Sequence, residues 1–474
     1  MKKPNNSLLT DFYELTMANG YLESGMADEI AYFDLFFRRV PDEGGFAIMA
    51  GLEQVVDYIT ALRFDKEDIN FLKKKGGFSD AFIDYLENFE FKCDVWAVPE
   101  GTPIFPGEPI ITVRGPLLQA QYVETMFLLL INHQTLIATK ANRIVRAAEG
   151  RGVMEFGTRR AHGSSAAILG ARAAYIGGCV GTACTVCERD MGILALGTMA
   201  HSWVQVFESE YEAFSTYAKL YPDNCTLLVD TFSVLGSGVP NAIRVFKEQG
   251  IKKPAIRIDS GDAAYLTKKS RKMLDEAGFP NCKIVVSNSL DEWLIRDILM
   301  QGAQIDSFGV GERLITSKSD PVFGGVYKLA AVENDDGIMP KIKISENPAK
   351  MTNPHFKRVY RLFDRENGKA IADYITLHDE VVDDGAPLEL FDPVSTWKRK
   401  RIENFQAVEL LVPIFLGGKL VYQVPDIEAS RSYCLAQVDT LWDEVKRFEN
   451  PHNYYVDVSQ KLWDLKQNML KHAQ

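Results

Sequence analysis

The sequence predicts an α/β protein, an irregular parallel (β/α) barrel with an N-terminal α+β domain before it and a smaller C-terminal α+β domain after it. From Val153 to Gly311 the chain repeats one unit: a short apolar strand, a polar corner, an amphipathic helix and a terminating glycine. The strands of this repeat show little polar alternation, as expected where helices cover both faces of a parallel sheet. Strands that all end in polar residues point to a barrel whose corners converge at one end. A doubly wound open sheet has the same periodicity and stands as the alternative. Gly150 and Gly152 punctuate the end of a long helical pattern, so the domains are expected at 1–150, 151–340 and 341–474, the last packing on the N-terminal part.

Residues 8–22 predict a helix with Thr10 or Asp11 at its N-cap and Phe12, Leu15 and Met17 at helical spacing, which places Tyr13 in the first turn. Alternation over 31–37 predicts a strand that ends on Arg38 and Arg39, and helices follow over 51–61 and 80–89. The Pro- and Gly-dense run 95–115 predicts small antiparallel strands, and 117–148 a long helix. Within the repeat, strands are expected at 153–156, 227–229, 256–258, 284–286 and 305–308. Helices near Pro240, Ala263 and Leu290 should stop at Gly250, Gly278 and Gly302, where a left-handed residue is expected. A looser polar segment covers 341–355. Hairpins then pair 359–363 with 370–377, and 408–415 with 420–424 around Gly417 and Gly418. Helices over 428–446 and 459–471 close the chain.

A net charge of -11 argues against nucleic acid as a partner, because phosphate-backbone binding needs a concentrated basic surface. With 46% hydrophobic and 25% charged residues the composition is that of a globular protein. The basic N-terminus is followed by no apolar stretch, so no secretory leader is expected. The most apolar run, 126–131, falls far short of the about 20 residues that span a bilayer. The 7 cysteines form no regular framework and are expected to be reduced thiols of a cytoplasmic protein. The Cys184–Cys187 pair lacks the second half of a zinc site and is expected to be structural.

Glu155-Phe156-Gly157-Thr158-Arg159-Arg160-Ala161-His162-Gly163 joins a strand to a small-residue helix. Two arginines at a helix N-terminus suit a carboxylate or phosphate, although they could equally serve as strand-end ion pairs. In a barrel this corner would meet Gly197, Thr198 and His201; Asp230; Arg257, Asp259, Ser260 and Asp262; Ser287 and Asn288; and Gly309, Gly311 and Arg313. Arginines and glycine N–H groups suit phosphates, and carboxylates suit ribose hydroxyls or Mg²⁺. Singly, each carboxylate could be a helix cap. His201 could act as base, ligand or nucleophile.

The motifs TDFYELTM, LFFRR, EFGTRRAHG, GTMAHS, IRIDSGD, VVSNSLDE, SFGVGERL and VYKL, in this order over about residues 8–352, resemble those of the nicotinate phosphoribosyltransferase family. The resemblance implies a type II phosphoribosyltransferase fold in a homodimer with shared active sites, the N-terminal domain of one subunit completing the site of its partner. It further implies transfer of phosphoribosyl from 5-phosphoribosyl 1-diphosphate (PRPP) to nicotinate in NAD salvage, with Mg²⁺ and with ATP as co-substrate. By the same resemblance His201 would be the phosphorylated histidine and Asp259 would contact the ribose or its metal. Tyr13 of the partner and Phe156 would sandwich the pyridine, and Thr198 would lie beside it. Arg159 and Arg257 would divide the carboxylate and phosphate between them, in an order the resemblance leaves open. Arg38, Arg39, Ser260, Gly261, Gly309, Gly311 and Thr352 would hold PRPP and its phosphates. Nicotinamide-using relatives carry an aspartate where this chain has Val180-Gly181-Thr182-Ala183, and its absence favours an acid substrate. The alternatives are nicotinamide transfer or a non-catalytic regulator that binds PRPP or a nucleotide.

Overall fold

Val153 lies beside Phe308 and Glu155 beside Val310 in parallel register, so the first and last strands of the repeat pair with each other. The computed structural model describes residues 5–346 and 351–472. The chain forms two units, one of Ile137–Pro321 and the other of Met1–Leu136 together with Val322–Gln474.

The strands of the first unit are β1 (Gly152–Glu155), β2 (Gly181–Thr182), β3 (Cys225–Leu228), β4 (Pro254–Ile258), β5 (Lys283–Asn288) and β6 (Ser307–Val310). Their spatial order is β2-β1-β6-β5-β4-β3, and every pairing is parallel. That order runs one way around a ring, whereas a doubly wound sheet reverses at a switch point. The ring is open between β2 and β3, which makes it a half-barrel. Residues 194–196 follow the open edge: Leu194 O accepts from Thr182 N at 3.0 Å and Thr182 O from Leu196 N at 2.8 Å.

Apolar strands explain the sheet. Leu227, Leu228, Val229, Ile256, Ile258 and Ile284 are buried in one cluster with Phe214, Val245, Phe246 and Leu274 from the covering helices. Each such side chain contributes about 1.5–3 kcal/mol by leaving water. The helices are capped as their sequences dictate. Val239–Gln249 ends at Gly250, whose φ of 63° suits a residue without Cβ, and Asp262 and Asp291 accept from the first turns of Ala263–Glu276 and Glu292–Met300.

The second unit is built on a seven-stranded antiparallel sheet. Its central strands, Ile30–Phe37, Ile111–Pro116 and Asp94–Ala97, come from the N-terminal part of the chain. Gly325–Asn334 and Val412–Leu416 cover their edges, so later segments remove the exposed strand edges of the first. A four-stranded sheet carries the hairpin of Lys357–Asp364 with Ala370–Leu377.

Several elements differ from the sequence reading: the helix Glu210–Leu220 was not anticipated, and the one expected over 428–446 ends at Thr440. The helix expected over 117–148 is two, Leu117–Tyr122 and Glu124–Ala147, separated at Val123. A helix at Lys66–Lys75 was missed although Asp65 and Asp68 form a reciprocal capping box, because its polar character hides the helical period. The run 408–415 divides between two sheets: Phe405–Glu409 pairs with Lys357–Asp364, and Val412–Leu416 with Asp94–Ala97. Leu410 and Leu411 are both buried, a pair that no alternating strand accommodates. Part of the polar segment 341–355, residues 347–350, lies outside the described residues.

On the first helix, Phe12–Glu23, Tyr13 is 45% exposed while the adjacent Glu14 is fully buried. The Gln121 amide donates to Glu14 Oε2 at 3.0 Å. Burial pushes the Glu14 carboxyl up to about 7; the Gln121 amide opposes this, and the charge of Glu124 adds to it. A group raised on folding stabilises fully below its unfolded value and loses that contribution as pH rises through its folded value. Stability of this unit should therefore fall between about pH 4.5 and 7. Glu14→Gln should flatten the urea midpoint across that window; an unchanged slope would exclude Glu14 as its source.

Candidate active site

The corners after the strands converge on a cleft of about 330 Å³, whose lining includes Phe156, Arg159, Thr198, Arg257, Asp259 and Gly309. Arg257 organises it. Ile256 and Ile258 on either side are buried in the core, so strand alternation turns Arg257 towards the cleft. Its Nε donates to Ser287 Oγ at 2.7 Å, Nη1 to Thr198 Oγ1 at 3.3 Å and Met199 O at 3.4 Å, and Nη2 to Asp259 Oδ1 at 2.7 Å. The guanidinium also lies 5.8 Å from the centre of the Phe156 ring.

Asp259 receives the Ser287 hydroxyl on the same oxygen. Burial pushes its carboxyl up, but the Ser287 hydroxyl, Arg257 and His201 outweigh burial and hold it below the usual carboxylate range. His201 opens the short helix His201–Gln205; its Nδ1 is 3.1 Å from Thr231 Oγ1 and its Nε2 3.8 Å from Asp259 Oδ2. Asp230 Oδ2 accepts from Asp259 N at 3.1 Å and Ser260 Oγ at 2.6 Å, while its buried Oδ1 has no partner.

Arg159 and Arg160 form a 3₁₀ turn, Thr158–Arg160, and both are exposed at the cleft. Ala183, the last residue of the segment 180–183 that carries no carboxylate, lines the same cleft. Gly309 makes room for Phe156: a Cβ there would come within 2.6 Å of the ring. Ser260 and Gly261 border an adjoining cleft of about 320 Å³ that shares Ser287 and Asn288 with the first.

Tyr13, Arg38, Arg39 and Thr352 belong to the other unit. There Arg38 and Thr352 border one cleft of about 630 Å³. Lys357 and Lys466 also line it, and sequence reasoning missed both. Lys357 is paired with Asp34 at 2.7 Å, and burial with the neighbouring Lys357 charge brings Lys466 down to about 8. Thr231, the partner of His201, was missed as well; a threonine after a strand-end aspartate carries no signal of its own. Among the described residues, no cluster of three or more His, Cys, Asp or Glu is placed to hold a metal ion. All seven cysteines are buried free thiols, and burial first, then hydrogen bonding to Cys184, pushes Cys187 up to about 12. No helix among the described residues is long and apolar enough to cross a membrane.

Gly309→Ala should displace the Phe156 ring and weaken binding of a planar aromatic acid about tenfold by calorimetry, the worth of one aromatic contact. Its thermal midpoint should change little, since the obstacle is a side chain in an open cleft. Unaltered affinity would remove Phe156 from the ligand's surroundings.

Comparison with known proteins places these features in one family. Residues 8–132 match the nicotinate phosphoribosyltransferase N-terminal domain, 152–362 the nicotinate phosphoribosyltransferase family, and 356–466 the nicotinate phosphoribosyltransferase C-terminal domain. The chain is 45% identical to the nicotinate phosphoribosyltransferase of Bacillus subtilis, over 98% of this chain and 95% of that protein. It is 38% identical to one from Mycobacterium tuberculosis, over 96% of this chain and 92% of that protein. The crystal structure of human nicotinic acid phosphoribosyltransferase superposes with a TM-score of 0.84 at 28% identity, covering 98% of this chain and all of that one. With all three of the family's domains matched in order along it, the chain belongs to the nicotinate phosphoribosyltransferase family.

Proposed function

We propose that this protein transfers phosphoribosyl from PRPP to nicotinate, giving nicotinate mononucleotide and pyrophosphate for NAD salvage in the cytoplasm. ATP is the co-substrate and His201 the residue it phosphorylates. The observation that carries this reading is the cleft lined by Phe156, Arg257 and Asp259, with His201 Nε2 beside it, 3.8 Å from Asp259 Oδ2.

The geometry supports a division of labour between the arginines. Four of the five Arg257 N–H groups are already engaged, by Ser287, Thr198, Met199 and Asp259. Arg159 is exposed at the cleft and has no protein partner among the described residues. Arg159 is therefore the arginine available to a carboxylate, and Arg257 holds the site in shape. Phe156 offers a face to the pyridine ring. Ser260 and Gly261, in the adjoining cleft, suit the phosphate end of PRPP.

In the transfer, the ring nitrogen bonds to the anomeric carbon as that carbon's bond to pyrophosphate breaks, so positive charge develops on the ribose. Holding the pyridine in line and stabilising the departing charge lower the barrier. Asp259, kept ionised, lies where it can interact with the ribose. Asp230, with a buried oxygen unpartnered, and Asp259 fit Mg²⁺ held mainly through substrate phosphates, since this ion takes one or two protein carboxylates. When bound, it would neutralise charge on the pyrophosphate. If Nδ1–H of His201 donates to Thr231, Nε2 keeps the lone pair that attacks the γ-phosphorus of ATP while the bond to ADP breaks. The resulting charge, set beside Asp259, can shift the affinity for PRPP.

Tyr13, Arg38 and Arg39 complete the site from the partner subunit of a homodimer, and Thr352 touches PRPP. The exposed Tyr13 ring supports this, since it has a face to offer.

Initial rates with PRPP and Mg²⁺, using nicotinate or nicotinamide with and without ATP, test the reading. Nicotinate turnover stimulated by ATP is expected; turnover of nicotinamide alone, or of neither, would overturn it. His201→Ala should abolish ATP hydrolysis and leave slow transfer, so a surviving ATPase would remove the phosphohistidine. Co-expressed His201→Ala and Tyr13→Ala chains should recover ATP-stimulated turnover above that of either variant alone; absence of recovery would argue against shared sites.

A further inference from the structure

Glu155, at the end of β1, is completely buried beside the cleft, and no role in ligand contact accounts for it. Its side chain and backbone tie together two segments that border the site. Oε1 accepts from the N–H of Gly157, the residue between Phe156 and the turn that carries Arg159. Oε2 accepts from the Thr182 hydroxyl at 2.6 Å, and that hydroxyl accepts in turn from Cys184 N at 3.0 Å. The backbone oxygen of Glu155 accepts from Ala183 N at 2.8 Å. Residues 182, 183 and 184 are thus all held by Glu155 directly or through Thr182.

The neighbours are shaped to permit this strap. A Cβ on residue 157 would lie 2.7 Å from Glu155 Oε1 and 2.5 Å from Ile315 Cβ, so only glycine lets the N–H approach the carboxylate. Burial raises the Glu155 carboxyl above its usual range, and the donors from Thr182 and Gly157 work against that shift. Such a group is costly to bury and is retained where every oxygen has a donor. Phe156 and Arg159 border the cleft on one side of the strap and Ala183 on the other.

We propose that Glu155 and Thr182 form a positioning strap that sets the distance between the Phe156–Arg159 segment and Ala183, and so determines fit to nicotinate and discrimination against nicotinamide. This rests on the nicotinate reading above. Glu155 touches no reacting atom and acts through Gly157, Thr182 and Ala183. Substitution should therefore act on binding of the pyridine substrate and leave PRPP untouched.

Three variants of the full-length protein test it. Glu155→Gln keeps an acceptor for Gly157 N–H but turns an amide donor towards Thr182, whose hydroxyl already accepts from Cys184. Thr182→Val removes the hydroxyl at equal volume, and Thr182→Ser restores it. The expected result is a rise of about tenfold in KM for nicotinate for Glu155→Gln and Thr182→Val, or about 1.4 kcal/mol. KM for PRPP should stay within about twofold, a change of less than half a kcal/mol. The preference for nicotinate over nicotinamide should shrink, and Thr182→Ser should recover it. Amide hydrogen exchange should quicken in both 156–160 and 181–185. Unchanged nicotinate KM in both variants overturns the inference. So does a parallel loss of nicotinate KM, PRPP KM and thermal midpoint that serine does not rescue, which marks a merely structural role. If the wild-type protein turns over no nicotinate, it is the functional reading that fails; exchange in the two segments then decides the strap alone, and unchanged exchange refutes it.

Discussion

The site depends on one guanidinium. The half-barrel is open between β2 and β3, and the chain after residue 196 carries Thr198 and leads to His201 without a strand to support it. Arg257 supplies that support by donating to Thr198 Oγ1 and Met199 O, while its other nitrogens reach Ser287 and Asp259. With its side chain only 13% exposed, such a charge needs a counter-charge and several acceptors, and the corners of β4 and β5 provide them. An irregular segment is thereby fixed without a sheet.

The same network sets the charges. Asp259 stays ionised although it is partly buried, because a serine hydroxyl and a guanidinium meet its Oδ1. That leaves Oδ2 directed towards His201, so carboxylate and imidazole are adjacent without being locked together. Glu155 is the opposite case: a carboxyl whose raised pKa follows from deeper burial, employed to hold backbone. Two acids of one unit thus differ in task because they differ in solvation.

The corners of the site were legible in the sequence because a parallel barrel puts every strand end on one face. Phe156, Arg159, Thr198, Arg257, Asp259, Gly309 and Gly311 all line one cleft, as a list of strand-end residues anticipates. Thr231, Lys357 and Lys466 were not legible, since their places depend on approaches between segments far apart in the chain. The Lys66–Lys75 helix and the division of 408–415 were missed for related reasons: one has too few apolar residues to show a period, and the other has two consecutive buried leucines where the chain changes sheet.

What the sequence determined by itself was the repeat of apolar strands, polar corners and glycine stops, because these follow from local sterics and from burial at a fixed period. The motifs within the corners were enough to mark the family. Only the tertiary structure decided that β6 closes on β1 while β2 and β3 stay apart, because closure is a property of pairing between strands, and periodicity within each strand is the same in either case. It also shows Arg257 engaged by four acceptors where Arg159 stands exposed at the cleft. That difference depends on how many acceptors surround each guanidinium, and those acceptors come from corners that adjoin only after folding.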